Sequence, residues 1–92
     1  MPAKFGKVTV NASTYTVLDA TVNGTATVTF NNAAGINMRF AGEADSAPGA
    51  ATATYALIAS NSGGVWTIDC NPSKSWIRAD TGGGDLSYHI NW

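Results

Sequence analysis

The chain has 92 residues, 12% of them charged, and a formal net charge of −1. That length suits one domain with one core and leaves no room for a separate catalytic lobe. The basic residues Lys4, Lys7, Arg39, Lys74 and Arg78 are scattered, which excludes a stripe able to neutralise several phosphates, so no nucleic-acid partner is expected.

The charged fraction is about half the ~25% of ordinary globular chains, so Thr, Ser, Asn and Gly must supply the polar surface. Such a surface suits contact with a fixed neighbour better than free diffusion. A core this small is marginally stable alone, and assembly is a reasonable expectation. No apolar run is long enough to span a membrane, and no membrane partner is expected. MPAKFGKVTV has no apolar signal region, so synthesis in a cytoplasm is expected. Without such a signal, the glycosylation patterns at Asn11-Ala12-Ser13 and Asn23-Gly24-Thr25 are read as chance matches. The single cysteine, Cys70, excludes an intrachain disulfide.

Residues 1–6 can form an extended N-terminal arm of the one β domain. Period-two alternation then begins. Lys7-Val8-Thr9-Val10 puts both valines on one face, and Thr14-Tyr15-Thr16-Val17 does the same with Tyr15 and Val17. Thr25 to Phe30 sets three threonines against Ala26, Val28 and Phe30. Asn31 to Gly35 reads as a turn, and Ile36, Met38 and Phe40 point inward on the next strand, which predicts a hairpin. Gly42 to Gly49 is a loop, solvated and available for contact.

Ala51 to Ser60 follows as a strand, with alanine leaving a short helix as the alternative. Its continuously apolar part, Tyr55 to Ile58, predicts a central strand or a subunit contact. Asn61 to Gly64 is a turn signal. Val65 to Cys70 alternates with Trp66, Ile68 and Cys70 inward, and Asn71-Pro72 ends it. Ser75 to Ala79 is a strand on which Trp76 and Arg78 oppose Ile77 and Ala79, with either face able to be the inner one. Asp80 to Asp85 is a turn, and Leu86, Tyr88, Ile90 and Trp92 share a face of the last strand. About eight short strands with turn signals roughly every ten residues predict an all-β fold, a small antiparallel sandwich or partly open barrel.

Gly82-Gly83-Gly84 is not a phosphate cradle. That chemistry needs a lysine and a hydroxyl after the last glycine and then a helix, whereas Asp85 and an alternating strand follow here. The glycines read as a hairpin loop needing positive φ. Cys70 belongs to an apolar face and His89 to a polar one, so the pair reads as a buried thiol and an exposed imidazole rather than a nucleophile and base. Asp80 and Asp85 flank the glycine turn but are too few for a dedicated calcium site. No metal, cofactor or enzymatic activity is expected. Trp66 reads as core. A Trp76 facing out beside Arg78 would be a contact hot spot. Trp92 is costly to leave in water and should dock in its own core or a neighbour.

The end of the chain, SKSWIRADTGGGDLSYHINW, preceded by YALIASNSGGVWTIDC, resembles short β-rich virion proteins of tailed phages. Those chains often finish with a W-I/V-R/K strand, a Gly-rich turn and an alternating last strand. The resemblance covers Tyr55 to Trp92, and the N-terminal half carries no matching motif. It implies a capsid decoration (cement) protein, or another small head or tail component, located in the virion. It further implies a homo-oligomer, a trimer by preference, with the major capsid protein or other virion subunits as partners.

The contact residues expected on that reading are Lys4, Phe5, Trp76, Arg78 and Trp92. A second reading is a carbohydrate- or host-surface-binding module with Trp76, Tyr88 and His89 as its platform.

Overall fold

The alternating segments are strands. The structure, a computed structural model, describes residues 2–51, 55–60 and 65–92. In chain order the strands are β1 (Ala3–Asn11), β2 (Thr16–Val17), β3 (Ala26–Asn31), β4 (Met38–Ala41), β5 (Ala56–Ile58), β6 (Trp66–Cys70), β7 (Trp76–Ala79) and β8 (Gly83–Asn91). A 3-10 turn, Pro72–Lys74, joins β6 to β7, and Asn71 caps it by accepting from the Ser73 amide. The strands make two antiparallel four-stranded sheets, β1-β8-β3-β6 and β2-β7-β4-β5, which do not close into a barrel. The fold is all-β and sandwich-like, as the alternation predicts.

The predicted inner faces line the space between the sheets. Val28, Met38, Ile77, Ala79, Leu86 and Ile90 are fully buried, with Val8, Val10, Ala26, Phe30, Phe40 and Tyr88 around them. Each fully buried large aliphatic or aromatic side chain contributes about 1.5–3 kcal/mol. Trp66 stacks on Phe30 at 5.4 Å and meets Phe40 edge-on at 5.6 Å, closing one flank of the core.

The connections differ from the expected hairpins. The chain changes sheet at every step except β4 to β5. β3 and β4 therefore face each other across the core instead of pairing. Alternation is satisfied equally by either arrangement, because both put Phe30 and Phe40 inside. Asn32 fixes the outcome. Its buried side chain donates to the Ile36 carbonyl at 2.9 Å and the Ile58 carbonyl at 3.0 Å, and it accepts from the Ala34 amide.

The glycine stretch is likewise a crossover, from β7 in one sheet to β8 in the other. Gly82 has φ 63°, a conformation that favours glycine. Gly83 and Gly84 already belong to β8. A Cβ on Gly83 would lie 2.8 Å from the Val10 carbonyl oxygen. The Asp80 amide donates to the Asn37 carbonyl at 2.8 Å, so the two crossovers support each other.

Residues 3–6, expected as an arm, are the first half of β1 and pair with β8 in the register Ala3↔Asn91 to Gly6↔Tyr88. Ala56–Ile58 is an edge strand rather than a central one, with Leu57 half exposed. The earlier part of the predicted strand, Thr52 to Thr54, and the predicted turn Asn61 to Gly64 lie outside the described residues.

Candidate functional site

β1, β8, β3 and β6 each turn alternate residues outward, and the register sets these in rows. Phe5 pairs with His89, His89 with Thr29, and Thr29 with Thr67. The Phe5 and His89 rings stack 4.1 Å apart and 7° from parallel. Phe5 is nevertheless 79% exposed, well above the 40% of Trp92. Around the stack lies a depression of about 250 Å³ bordered by Thr29, Asn31 and Ser87. Thr29 and Thr67 share a hydrogen bond at 3.2 Å, and Thr27 donates to Asp69 at 2.8 Å. Farther along, Thr9 donates to Asp85 at 2.7 Å and Lys7 stands 3.5 Å from the same carboxylate. The Thr9 hydroxyl holds the Asp85 carboxyl below its usual range against desolvation, with the Lys7 charge adding to it. The face is thus rich in hydroxyls and amides, with one prominent aromatic ring held upright by its neighbour.

The other expected contact residues lie elsewhere. Ile77 and Ala79 take the inner face of β7, which puts Trp76 and Arg78 on the outside of the β2-β7-β4-β5 sheet. The chain's own loops partly cover them. Trp76 Nε1 donates to the Ala44 carbonyl at 2.9 Å. Arg78 is buried, donates to the Ala12 carbonyl, and lies over the Tyr15 ring. The Gly42–Gly49 loop is therefore tethered, although Asp45 within it is exposed and pairs only with Lys74.

Lys4 points toward the interior and forms a 2.7 Å ion pair with Asp19. Trp92, just beyond the end of β8, is exposed and not docked in the chain's own core, although its amide donates to the Pro2 carbonyl. Lys4, Phe5, Trp76, Arg78 and Trp92 thus do not share one surface. The alternative platform is also split: Tyr88 is buried in the core, His89 is half-buried on one outer face, and Trp76 lies on the opposite one.

The charge-bearing pairs considered from the sequence do not converge. Cys70 faces the interior from β6 while His89 faces out from β8. Burial pushes the Cys70 thiol up, away from thiolate chemistry. Asp80 pairs with Arg39 at 2.8 Å and Asp85 with Thr9, so the carboxylates flanking the glycines have separate partners. Among the described residues, no three of His, Cys, Asp and Glu gather as metal ligands.

Sequence reasoning missed Asp19. It is buried and receives the Thr21 hydroxyl at 2.6 Å, the Thr21 amide at 2.9 Å and the Tyr88 hydroxyl at 2.9 Å, besides Lys4. Burial opposes its ionisation, and these donors outweigh it, holding the carboxyl well below the usual range. Burial and the adjacent carboxylate push Tyr88 up to about 12. The available signal was a lone acid between Leu18 and Val22 with threonine two residues on, the spacing of a local side-chain-to-backbone turn. The cluster clips the start of β1 to the β2–β3 connection and is structural. Comparison with protein-family models, with curated proteins and with solved structures found no match.

Proposed function

We propose that this chain is a structural protein of a virus particle, a decoration protein that binds the outer shell of a tailed-phage capsid through the outer face of β1-β8-β3-β6. The observation that supports this most is Phe5. A large ring left 79% exposed, pre-ordered by stacking on His89 and rimmed by neutral hydroxyl and amide groups, has the anatomy of an interface anchor. Little ordering entropy remains to be lost when it docks. Repetition of such a contact over a symmetric lattice converts modest individual affinity into firm attachment. The chain's last third, with its W-I-R strand, glycine crossover and alternating final strand, supports the phage reading.

The test is quantitative mass spectrometry of purified virus particles from the source of this chain. A copy number near that of the shell protein is expected. Absence from particles overturns the proposal, and a few copies per particle would place the chain at a vertex or tail instead. Phe5→Ala should then lower its occupancy on particles while leaving the fold unchanged.

The depression beside the same ring favours a second reading, recognition of a sugar. Stacking on Phe5 with hydrogen bonds to Thr29, Asn31 and Ser87 is suitable chemistry. A glycan array probed with wild type and Phe5→Ala separates the two readings, since only sugar recognition gives an array signal that the variant loses.

A further inference from the structure

The sequence has one Asn-Gly pair, Asn23-Gly24, in the connection from β2 to β3. Both residues are exposed. Gly24 has φ 125°, and no atom lies within 4 Å of where a Cβ would be. Its amide donates to no acceptor among the described residues. A backbone amide that is free, uncrowded and wet can attack the preceding side chain, and glycine obstructs that approach least.

The 3-10 turn fixes how Asn23 presents its side chain. The Ser73 amide donates to Asn71 Oδ1 at 3.1 Å. A backbone N–H can only donate, so this bond decides which end of the Asn71 amide is oxygen. Asn71 Nδ2 then donates to Asn23 Oδ1 at 2.9 Å. The Ser73 hydroxyl lies 3.0 Å from the same oxygen and 2.9 Å from Asn71 Oδ1, and it can turn its proton to either. Asn23 Nδ2 has no partner among the described residues.

Both donors therefore converge on the Asn23 carbonyl oxygen, while the nitrogen is free to leave. Donors aimed where negative charge develops stabilise the tetrahedral intermediate of an acyl transfer. The Ser73 proton, shared before the reaction, commits to that oxygen as the charge grows, which is assistance confined to the transition state.

We propose that Asn23 is a site of spontaneous deamidation, assisted by Asn71 and Ser73. The Gly24 nitrogen bonds to Asn23 Cγ as its proton passes to water. The Cγ–Nδ2 bond breaks, and Nδ2 leaves as ammonia with a proton returned from water. Water then opens the succinimide ring, its hydroxyl going to either ring carbonyl and its proton to the ring nitrogen. One opening gives aspartate and the other isoaspartate, and nothing is oxidised or reduced. Either product adds a negative charge. Isoaspartate also lengthens the main chain beside Val22, whose carbonyl accepts from the Ser73 amide at 3.1 Å. The modification does not involve the Phe5 face and does not rest on the virion reading.

The test is incubation of the full chain at neutral and mildly alkaline pH, for wild type, Ser73→Ala and Asn71→Asp. Asn71→Asp keeps an acceptor for the Ser73 amide and loses the donor to Asn23. Peptide mapping by mass spectrometry and labelling with an isoaspartyl methyltransferase read the products. In wild type the peptide holding Asn23 should gain the mass of oxygen in place of NH, and faster at the higher pH. Each variant should convert about threefold or more slowly, a small part of what one such donor contributes in an enclosed site. Circular dichroism shows that the variants fold, and two are used so that misfolding of one leaves the other informative. No conversion at Asn23 in wild type overturns the proposal, and so does a folded variant that converts as fast as wild type.

Discussion

The Tyr88 hydroxyl donates to the buried Asp19 carboxylate at 2.9 Å, and its ring lies across Gly6 on the adjacent strand. A Cβ built on Gly6 falls 2.7 Å from the Tyr88 hydroxyl oxygen and 2.8 Å from Cζ. The glycine in β1 is therefore what lets a core tyrosine reach an acid 69 residues away in sequence. Lys4, two residues before that glycine, closes the same cluster from the other side.

Gly6→Ala should consequently destabilise the fold by about 1–3 kcal/mol, the usual cost of overpacking a core. Urea denaturation measures it. Tyr88 is the far end of a side chain and can move, but only by giving up its bond to Asp19. An unchanged midpoint would mean that the bond contributes nothing.

The same cluster sets a pH window. The folded Asp19 carboxyl sits below its ordinary 3.8, so the unfolded chain takes up the proton first as pH falls. Stability from this group is present above about pH 4 and is lost progressively below it. Tyr88 is shifted from 10.0 up to about 12, so the unfolded chain ionises first as pH rises, and stability falls between those values. Melting temperature against pH should show a plateau with both edges falling. Asp19→Asn should lower the plateau and flatten the acid edge to what Asp85 and the remaining acids supply.

The glycines before the last strand should differ in their response. Gly82→Ala meets only the strain of positive φ, about 1–2 kcal/mol, and Gly82→Asn should recover part of it. Gly83→Ala pushes a Cβ against the Val10 carbonyl oxygen at 2.8 Å. That oxygen belongs to a paired strand and cannot swing aside. The loss should be about 1–3 kcal/mol and should not be recovered by asparagine. Equal urea midpoints for Gly83→Ala and wild type would show that the β1–β8 ladder opens at this end.

On the opposite sheet, Trp76→Phe removes the donor to Ala44 and should cost about 1 kcal/mol, with faster proteolysis of the Gly42–Gly49 loop. Asp45→Lys in that loop breaks an exposed ion pair with Lys74, so its stability in urea denaturation should stay within the range of ordinary surface substitutions, about ±0.5 kcal/mol. A large loss on Asp45→Lys would show that the loop is held by charge and not by Trp76.

The outward position of Phe5 was legible from parity, since Val8 and Val10 take the inner face and odd-numbered residues take the other. Its stack on His89 was not, because that contact needs the register of β1 on β8, set by residues 84 positions apart. Asp19 was hidden for the same reason. Its partners Lys4 and Tyr88 come from opposite ends of the chain, and nothing local requires a buried carboxylate there.

The sequence by itself determined where most strands lie and which residues face the core. Alternation is a local property, and burying Val28, Phe30, Met38 or Ile90 rewards the same face whatever the neighbours are. The tertiary structure alone decided which sheet each strand joins. A hairpin and a crossover bury the same residues, and the choice rests on bonds that tie distant segments: Asn32 to Ile58, Asp80 to Asn37 and Trp76 to Ala44. Those choices place Phe5 and Trp76 on opposite faces and bring β5 and β6 to a common flank.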